Sequence, residues 1–274
     1  MRPGVLNLDF VGQLTPQLLV SIRNPQELAA AVEGGANIID IKEPANGPLG
    51  MADPRTIAEI AKQLAARSPK TPCSVALGEL TEWFDRPTRP ALPTTVRWAK
   101  LGFAGCRTIP NWETRWTRVR QEIDAARGAP LEWVAVAYAD HRNADAPKPM
   151  DVLMAAVEQG CAAFLLDTFD KADTALLDWM SPYELPSLLR LASELQLPVA
   201  LAGRIEQSDL DWVCDLEPAI VGVRSAVCLD SNRHRTVNAV RVAEFKQALL
   251  AQAPQPRSTL TPQSAGLVEA AANA

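Results

Sequence analysis

Residues 18–42 read LLVSIRNPQELAAAVEGGANIIDIK, and the reading of this stretch decides the fold. Leu18-Leu19-Val20-Ser21-Ile22 is a short apolar run with the composition of a strand. Asn24-Pro25 then supplies an N-cap and a proline at the first helical position, and Leu28, Ala31 and Val32 fall on one face. Gly34-Gly35 stops that helix, and Ile38-Ile39-Asp40-Ile41-Lys42 forms a second strand. Strand, helix and strand in so few residues make a parallel βαβ unit.

The same alternation runs outward from this unit. Strands are expected near residues 74–77, 96–101, 133–138, 162–167, 199–202 and 220–223. Helices are expected after Asp53-Pro54 and near 112–126, 150–159, 184–195, 208–214 and 236–250. Eight strands within about 235 residues suit a single α/β domain, a (β/α)8 TIM barrel. A doubly wound open sheet is the alternative, but no GxGxxG follows the first strand. Pro87, Pro90 and Pro93 exclude a regular helix from the third crossover, which is expected to be irregular. The barrel domain is assigned to residues 18–251, behind an N-terminal extension at 1–17. The tail at 252–274, rich in Pro, Gln, Ser and Ala, is expected to be disordered.

Composition narrows the function classes. The 274 residues carry a net charge of −5, which disfavours a nucleic-acid or anionic-membrane surface. No apolar run is long enough for a signal peptide or a membrane span, so a cytoplasmic enzyme is expected. The five cysteines are scattered without a CxxC pair, and His141 and His234 are the only histidines. Neither a disulfide framework nor a structural zinc site is expected from these, and no metal or other cofactor is assigned.

Seven lysines stand against twenty arginines, so a lysine in an apolar strand is conspicuous. Arginine stays protonated, whereas lysine can lose its proton and act as a nucleophile. On the second strand Asp40 and Lys42 share a face, and Ile39 and Ile41 claim the helix side, which turns the charged pair into the barrel. Lys100 sits late in the fourth strand, below Gly102. Asp167 ends the sixth, and Lys171 follows four residues later. Strands two, four and six are expected to deliver Lys42, Lys100 and Asp167 to one interior layer. Clustered amines depress one another's pKa, which is the logic of Schiff-base enzymes. An Asp40–Lys42 ion pair is the plainer alternative. Gly203-Arg204 and Gly222-Val223-Arg224-Ser225, at the ends of the seventh and eighth strands, occupy the place where barrels often bind phosphate. Tyr138-Ala139-Asp140-His141-Arg142 is expected to line the mouth.

The segment from Gly34 through Lys42-Glu43-Pro44 to Gly47-Pro48-Leu49-Gly50 closely resembles the (5-formylfuran-3-yl)methyl phosphate synthase family. Tyr138 to Arg142, Leu166-Asp167-Thr168 with Lys171, Leu201-Ala202-Gly203 and Val221 to Arg224 follow in that family's order. The resemblance spans roughly residues 18–250. It implies a barrel that joins two molecules of glyceraldehyde 3-phosphate into a phosphorylated furan aldehyde, with loss of phosphate and water. The product would serve methanofuran-type cofactor synthesis in one-carbon metabolism. It further implies Lys42 as the Schiff-base lysine and Asp40, Lys100, Asp167 and Lys171 as its catalytic companions. The partner is then a small phosphorylated triose; assembly into a homo-oligomer is left open. A Schiff-base aldolase for another phosphorylated sugar, or a noncatalytic barrel subunit, are the competing readings.

Overall fold

The computed structural model describes residues 15–171 and 174–252. Gln252, expected to open the disordered tail, instead ends a helix; the rest of the expected tail, and most of the expected N-terminal extension, lie outside the described residues. Eight parallel strands close into a barrel in sequence order: β1 (Gln17–Ile22), β2 (Ile38–Ile41), β3 (Cys73–Glu79), β4 (Val96–Gly102), β5 (Glu132–Tyr138), β6 (Ala163–Asp167), β7 (Val199–Leu201) and β8 (Ile220–Val223). The last strand returns to the first, with Leu18 level with Val221 and Val20 level with Val223. Around them run α1 (Pro25–Glu33), α2 (Pro54–Arg67), α3 (Trp112–Arg127), α4 (Pro149–Glu158), α5 (Leu176–Trp179), α6 (Glu184–Glu194), α7 (Leu210–Asp215) and α8 (Ala239–Gln252). The open sheet is thereby excluded.

Two apolar layers hold this arrangement. The larger lies between strands and helices, where Leu18, Val20 and Ile22 of β1 meet Leu28 and Ala31 of α1. The smaller fills the barrel itself, with Ile38, Ala76, Trp98, Val136, Leu165, Ala200 and Ile220 pointing inward from seven strands. Burying that interior in apolar contact removes water from one end of the barrel. The polar inward positions, Ser21, Asp40, Ser74 and Lys100, are buried as well. Their hydrogen bonds therefore have to be made with one another.

The third crossover is irregular, as its prolines dictate. A single 3-10 turn at Leu80–Trp83 replaces the helix. Trp83 is fully buried and donates its indole N–H to the Leu77 carbonyl at 2.8 Å. Arg89 lies over the Trp83 ring and reaches Glu122 of α3, so one aromatic residue and a salt bridge cover the strand that a helix would otherwise cover. The eighth helix begins three residues later than its apolar periodicity suggests. Val237 pairs with Cys228 in an isolated antiparallel bridge, and Asn238 caps the helix through the Arg241 amide. The short α5 was not expected from the sequence; its four residues lie between β6 and α6.

Candidate active site

The carboxyl ends of the strands enclose a cavity whose wall includes Asp40, Lys42, Lys100, Asp167, Lys171 and Arg233. A second, more open cavity of about 500 Å³ adjoins it and shares Lys171 and Arg233. Pro44, Pro48 and Phe169 form part of its outer wall.

Asp40 is the best-anchored group in the site. Its two carboxylate oxygens accept from the Ser21 hydroxyl at 2.9 Å and the Ser74 hydroxyl at 2.8 Å, and Lys100 Nζ lies 2.8 Å from Oδ1. Burial pushes the Asp40 carboxyl up, but Lys100 and Lys42 beside it hold it below the usual carboxylate range. Asp40 is thus held as a carboxylate in a dry layer. The expected alternative, an Asp40–Lys42 ion pair, is not what forms.

Lys42 follows the last residue of β2, and its amide still donates to the Ile22 carbonyl at 3.0 Å, so the strand alternation continues through it. Its side chain is buried and its amine has no salt-bridge partner among the described residues. Burial pushes that amine down to about 7. Asp167 acts against this most strongly, Lys171 and Arg233 add to it, and Asp40 opposes it. An amine with such a pKa is half neutral near physiological pH and can attack a carbonyl.

Asp167 and Lys171 form the second ion pair, with Nζ 2.5 Å from Oδ1. The Thr168 amide also donates to Oδ1 at 2.8 Å, and Lys171 reaches the Thr168 hydroxyl at 3.2 Å. Burial raises the Asp167 carboxyl, but Lys171 and Lys42 bring it below the usual range. Asp140, buried after β5, accepts from the amides of Phe169 at 2.6 Å and Asp170 at 2.8 Å. It fixes the loop that presents Lys171. His141 stays outside this constellation, with Nδ1 3.4 Å from the Ala139 carbonyl.

The five expected catalytic residues therefore share one cavity, but as two ion pairs with Lys42 left unpaired. The inward residues of β3 beside Asp40 are Ser74 and Ala76, small enough to let the long Lys100 stem reach across from β4. Gly102, two residues after Lys100, occupies a crowded position. A Cβ there would stand 2.1 Å from Glu79 Oε2 and 2.4 Å from the Tyr138 hydroxyl. The glycine makes space for the Tyr138-to-Glu79 hydrogen bond of 2.6 Å.

On the expected phosphate side, Gly203, Arg204, Gly222, Arg224 and Ser225 all line the cavity. Gly203 has φ +105, and a Cβ on it would come within 2.9 Å of Thr168 Cγ2, so glycine is required for the β6 and β7 loops to meet. Arg204 donates to the Lys171 carbonyl at 3.3 Å. Arg224 differs from its expected role. Nη1 and Nη2 bind the two oxygens of buried Glu27 at 2.9 and 3.1 Å. The remaining donors go to the carbonyls of Ser21 at 2.8 Å, Arg233 at 2.6 Å and Arg235 at 3.4 Å. All five N–H groups of a guanidinium are then engaged, and none is left for a phosphate. Arg233 escaped the sequence reading, although the run Arg233-His234-Arg235 after the eighth strand was a visible signal.

Known proteins resemble this chain over most of its length. A family model described as 4-HFC-P synthase matches residues 18–246. A (5-formylfuran-3-yl)methyl phosphate synthase of Archaeoglobus fulgidus is 30% identical over 239 residues, covering 85% of this chain and 99% of that protein. Its counterpart from Methanopyrus kandleri is 34% identical over 227 residues, covering 81% and 93%. Among solved structures, 3-hexulose-6-phosphate synthase from Salmonella typhimurium aligns with TM-score 0.54 at 14% identity, covering 86% of this chain and 99% of that one. Thiamine phosphate pyrophosphorylase from Pyrococcus furiosus aligns with TM-score 0.53 at 16% identity, covering 87% and 97%. These two likenesses show the barrel fold alone. With the family model matched from β1 into α8, the chain belongs to the 4-HFC-P synthase family.

Proposed function

We propose that this barrel condenses two molecules of glyceraldehyde 3-phosphate into (5-formylfuran-3-yl)methyl phosphate through an imine on Lys42, in methanofuran-type cofactor synthesis. The observation that carries the reading is the unpaired, buried Lys42 amine, pushed down to about 7, between the Asp40–Lys100 and Asp167–Lys171 pairs. The family to which the chain belongs supports the same product.

The balance is two triose phosphates in, and furan phosphate, one phosphate and two waters out. Neutral Lys42 adds to the aldehyde carbon of the first triose, and water leaves as the imine forms. The imine acidifies the neighbouring C–H. Asp167, facing Lys42 and bridged to Lys171, removes that proton as general base. The electron pair then expels phosphate from the next carbon. A proton shift from C2 to C1 of the second triose makes its C2 the carbonyl. The terminal carbon of the three-carbon enol left on Lys42 bonds to that C2, whose carbonyl oxygen becomes a hydroxyl, and the phosphate is kept. The C1 hydroxyl of the second triose then closes the ring onto the C2 carbonyl of the first. Asp40 with Lys100, and Asp167 with Lys171, hold and return protons as the hydroxyls leave as water. Hydrolysis of the imine frees Lys42. The strand-seven and strand-eight residues Gly203, Arg204, Gly222 and Ser225 are assigned to the substrate phosphates.

Purified protein incubated with glyceraldehyde 3-phosphate should develop furan absorbance and release one phosphate per furan. Borohydride added during turnover should leave a reduced adduct on Lys42. An open-chain sugar phosphate as product would make the protein a Schiff-base aldolase. No consumption of substrate would make it a noncatalytic barrel.

A further inference from the structure

Arg233 and Arg224 lie on the same cavity wall in opposite states. Every donor of Arg224 is engaged, whereas the Arg233 guanidinium has no hydrogen bond or ion pair among the described residues and its Nε is buried without a partner. A buried donor left unsatisfied destabilises the protein unless an acceptor arrives. Arg233 is also one of the two residues common to the inner and outer cavities, so it stands at the neck between them.

The charge balance points the same way. Lys100 is neutralised by Asp40, Lys171 by Asp167 and Arg224 by Glu27. Beside the half-neutral Lys42 amine, what remains on the wall is Arg233, with Arg204, whose one partner among the described residues is a carbonyl rather than an acid. Uncompensated guanidinium charge in a confined, partly desolvated space suits a phosphate monoester, which a guanidinium can grip with two parallel N–H bonds.

Arginine side chains hold the backbone around Arg233. Three successive carbonyls accept from arginine side chains: Arg233 from Arg224 Nε, His234 from Arg23 Nη1, and Arg235 from Arg224 Nη2. Both arginines are themselves fixed by acids, Arg224 by Glu27 and Arg23 by Glu43, the residue next to Lys42. The loop is thereby tied to the ends of β1 and β2, where the reacting amine sits.

We propose that Arg233 receives a substrate phosphate at the neck between the cavities, and that Arg224, locked to Glu27, is the positioning residue that sets it there. This deepens the reading given under Proposed function and rests on it for the identity of the phosphate ester.

Inorganic phosphate titrated calorimetrically into the full-length protein tests the site without any chemistry at Lys42. The wild type should bind phosphate, and Arg233→Gln should weaken that binding at least tenfold, with Arg233→Lys recovering part of it. Melting curves establish that both variants are folded. Concentration dependence of borohydride trapping at pH 9 should show the same selectivity: Arg233→Gln raises the half-saturating glyceraldehyde 3-phosphate concentration and leaves that for unphosphorylated glyceraldehyde within twofold. Glu27→Gln should lower phosphate affinity severalfold and speed hydrogen exchange across residues 229–238. A wild type that binds no phosphate, an Arg233→Gln protein that binds it normally, or equal losses for both aldehydes would each overturn the Arg233 assignment. Unchanged affinity and exchange in Glu27→Gln would overturn the positioning role. Phosphate binding that depends on Arg233, without furan formation from the triose phosphate, would instead defeat the functional reading alone.

Discussion

Asp40 binds Lys100 of the strand two places away, at 2.8 Å, and not Lys42, its own neighbour two residues along. That choice separates the roles of two buried lysines. Lys100 gains a full counter-charge, whereas Lys42 is left with burial and a mixture of opposed charges. A buried amine without a partner is the cheaper one to deprotonate, so the nucleophile is the lysine that the carboxylate does not hold.

Asp40→Asn removes a negative charge that favours the Lys42 ammonium, and it leaves Lys100 without its counter-ion. Both changes lower the Lys42 pKa further. The pH midpoint for borohydride trapping at Lys42 should therefore move below its wild-type position near 7. Furan formation should fall by roughly 10²–10⁴, the scale of losing a general acid–base group. Mass spectrometry of trapped protein across a pH series reads the first effect, and furan absorbance the second. A midpoint moving upward would contradict this assignment of charges.

Lys42 also links pH to stability. Its amine titrates near 7 in the folded protein against an ordinary 10.5. Between those values the unfolded chain binds more protons, so stability rises with pH from about 7 to about 10.5, and the penalty is fully present below 7. Lys42→Met removes the penalty. It should raise the melting temperature at pH 6 by an amount worth on the order of a few kcal/mol, and by much less at pH 10. Equal gains at both pH values would show that the methionine acts only through packing.

Gly102→Ala tests a purely steric demand. The new methyl would fall 2.1 Å from Glu79 Oε2 and 2.4 Å from the Tyr138 hydroxyl. Glu79 cannot simply swing away, because it also accepts from the Ala104 amide at 2.8 Å and Tyr138 is fully buried. The substitution should destabilise the barrel by about 2–4 kcal/mol, combining overpacking with a lost buried hydrogen bond. Urea denaturation measures it. Glu79→Ala in the same background should restore part of the loss, since it removes the atom in the way.

The barrel was legible because each strand and helix announces itself locally. Asn24-Pro25 and Asp53-Pro54 open helices where their caps say so, with Asn24 Oδ1 accepting from Glu27 and Asp53 Oδ1 from Arg55. Inward and outward faces followed from alternation, which placed Asp40 and Lys42 correctly inside. Alternation says nothing of how far a long side chain reaches across a closed sheet. That is why the Asp40–Lys100 pair was not foreseen, and why Ser21 and Ser74 passed as ordinary strand residues. Arg224 was read as a free phosphate ligand, and Arg233 was passed over, for a related reason. Both lie near the end of β8, and what distinguishes them is Glu27, some two hundred residues earlier in the chain. A partner that distant leaves no local mark in the sequence.

The Arg224–Glu27 pair makes the last prediction sharp, because both side chains are buried, at 6% and 1% exposure. Glu27 has a second duty, accepting from the Arg23 amide at 2.9 Å, so it joins α1 to the end of β1 as well as to β8. Glu27→Ala leaves a guanidinium buried with only carbonyls around it. The cost of breaking such a pair from one side is about 3–5 kcal/mol. Arg224→Met leaves Glu27 buried with the Arg23 amide as its remaining hydrogen-bond donor, and should cost a similar amount. The double variant Glu27→Leu/Arg224→Met buries no charge, and apolar replacements of a buried pair are often close to neutral. It should be clearly more stable than either single variant in urea denaturation. Its loop at 229–238 should still exchange hydrogen faster than wild type, because the Arg233 and Arg235 carbonyls have lost their donors. Single-variant losses that simply add in the double variant would mean that the two side chains act independently.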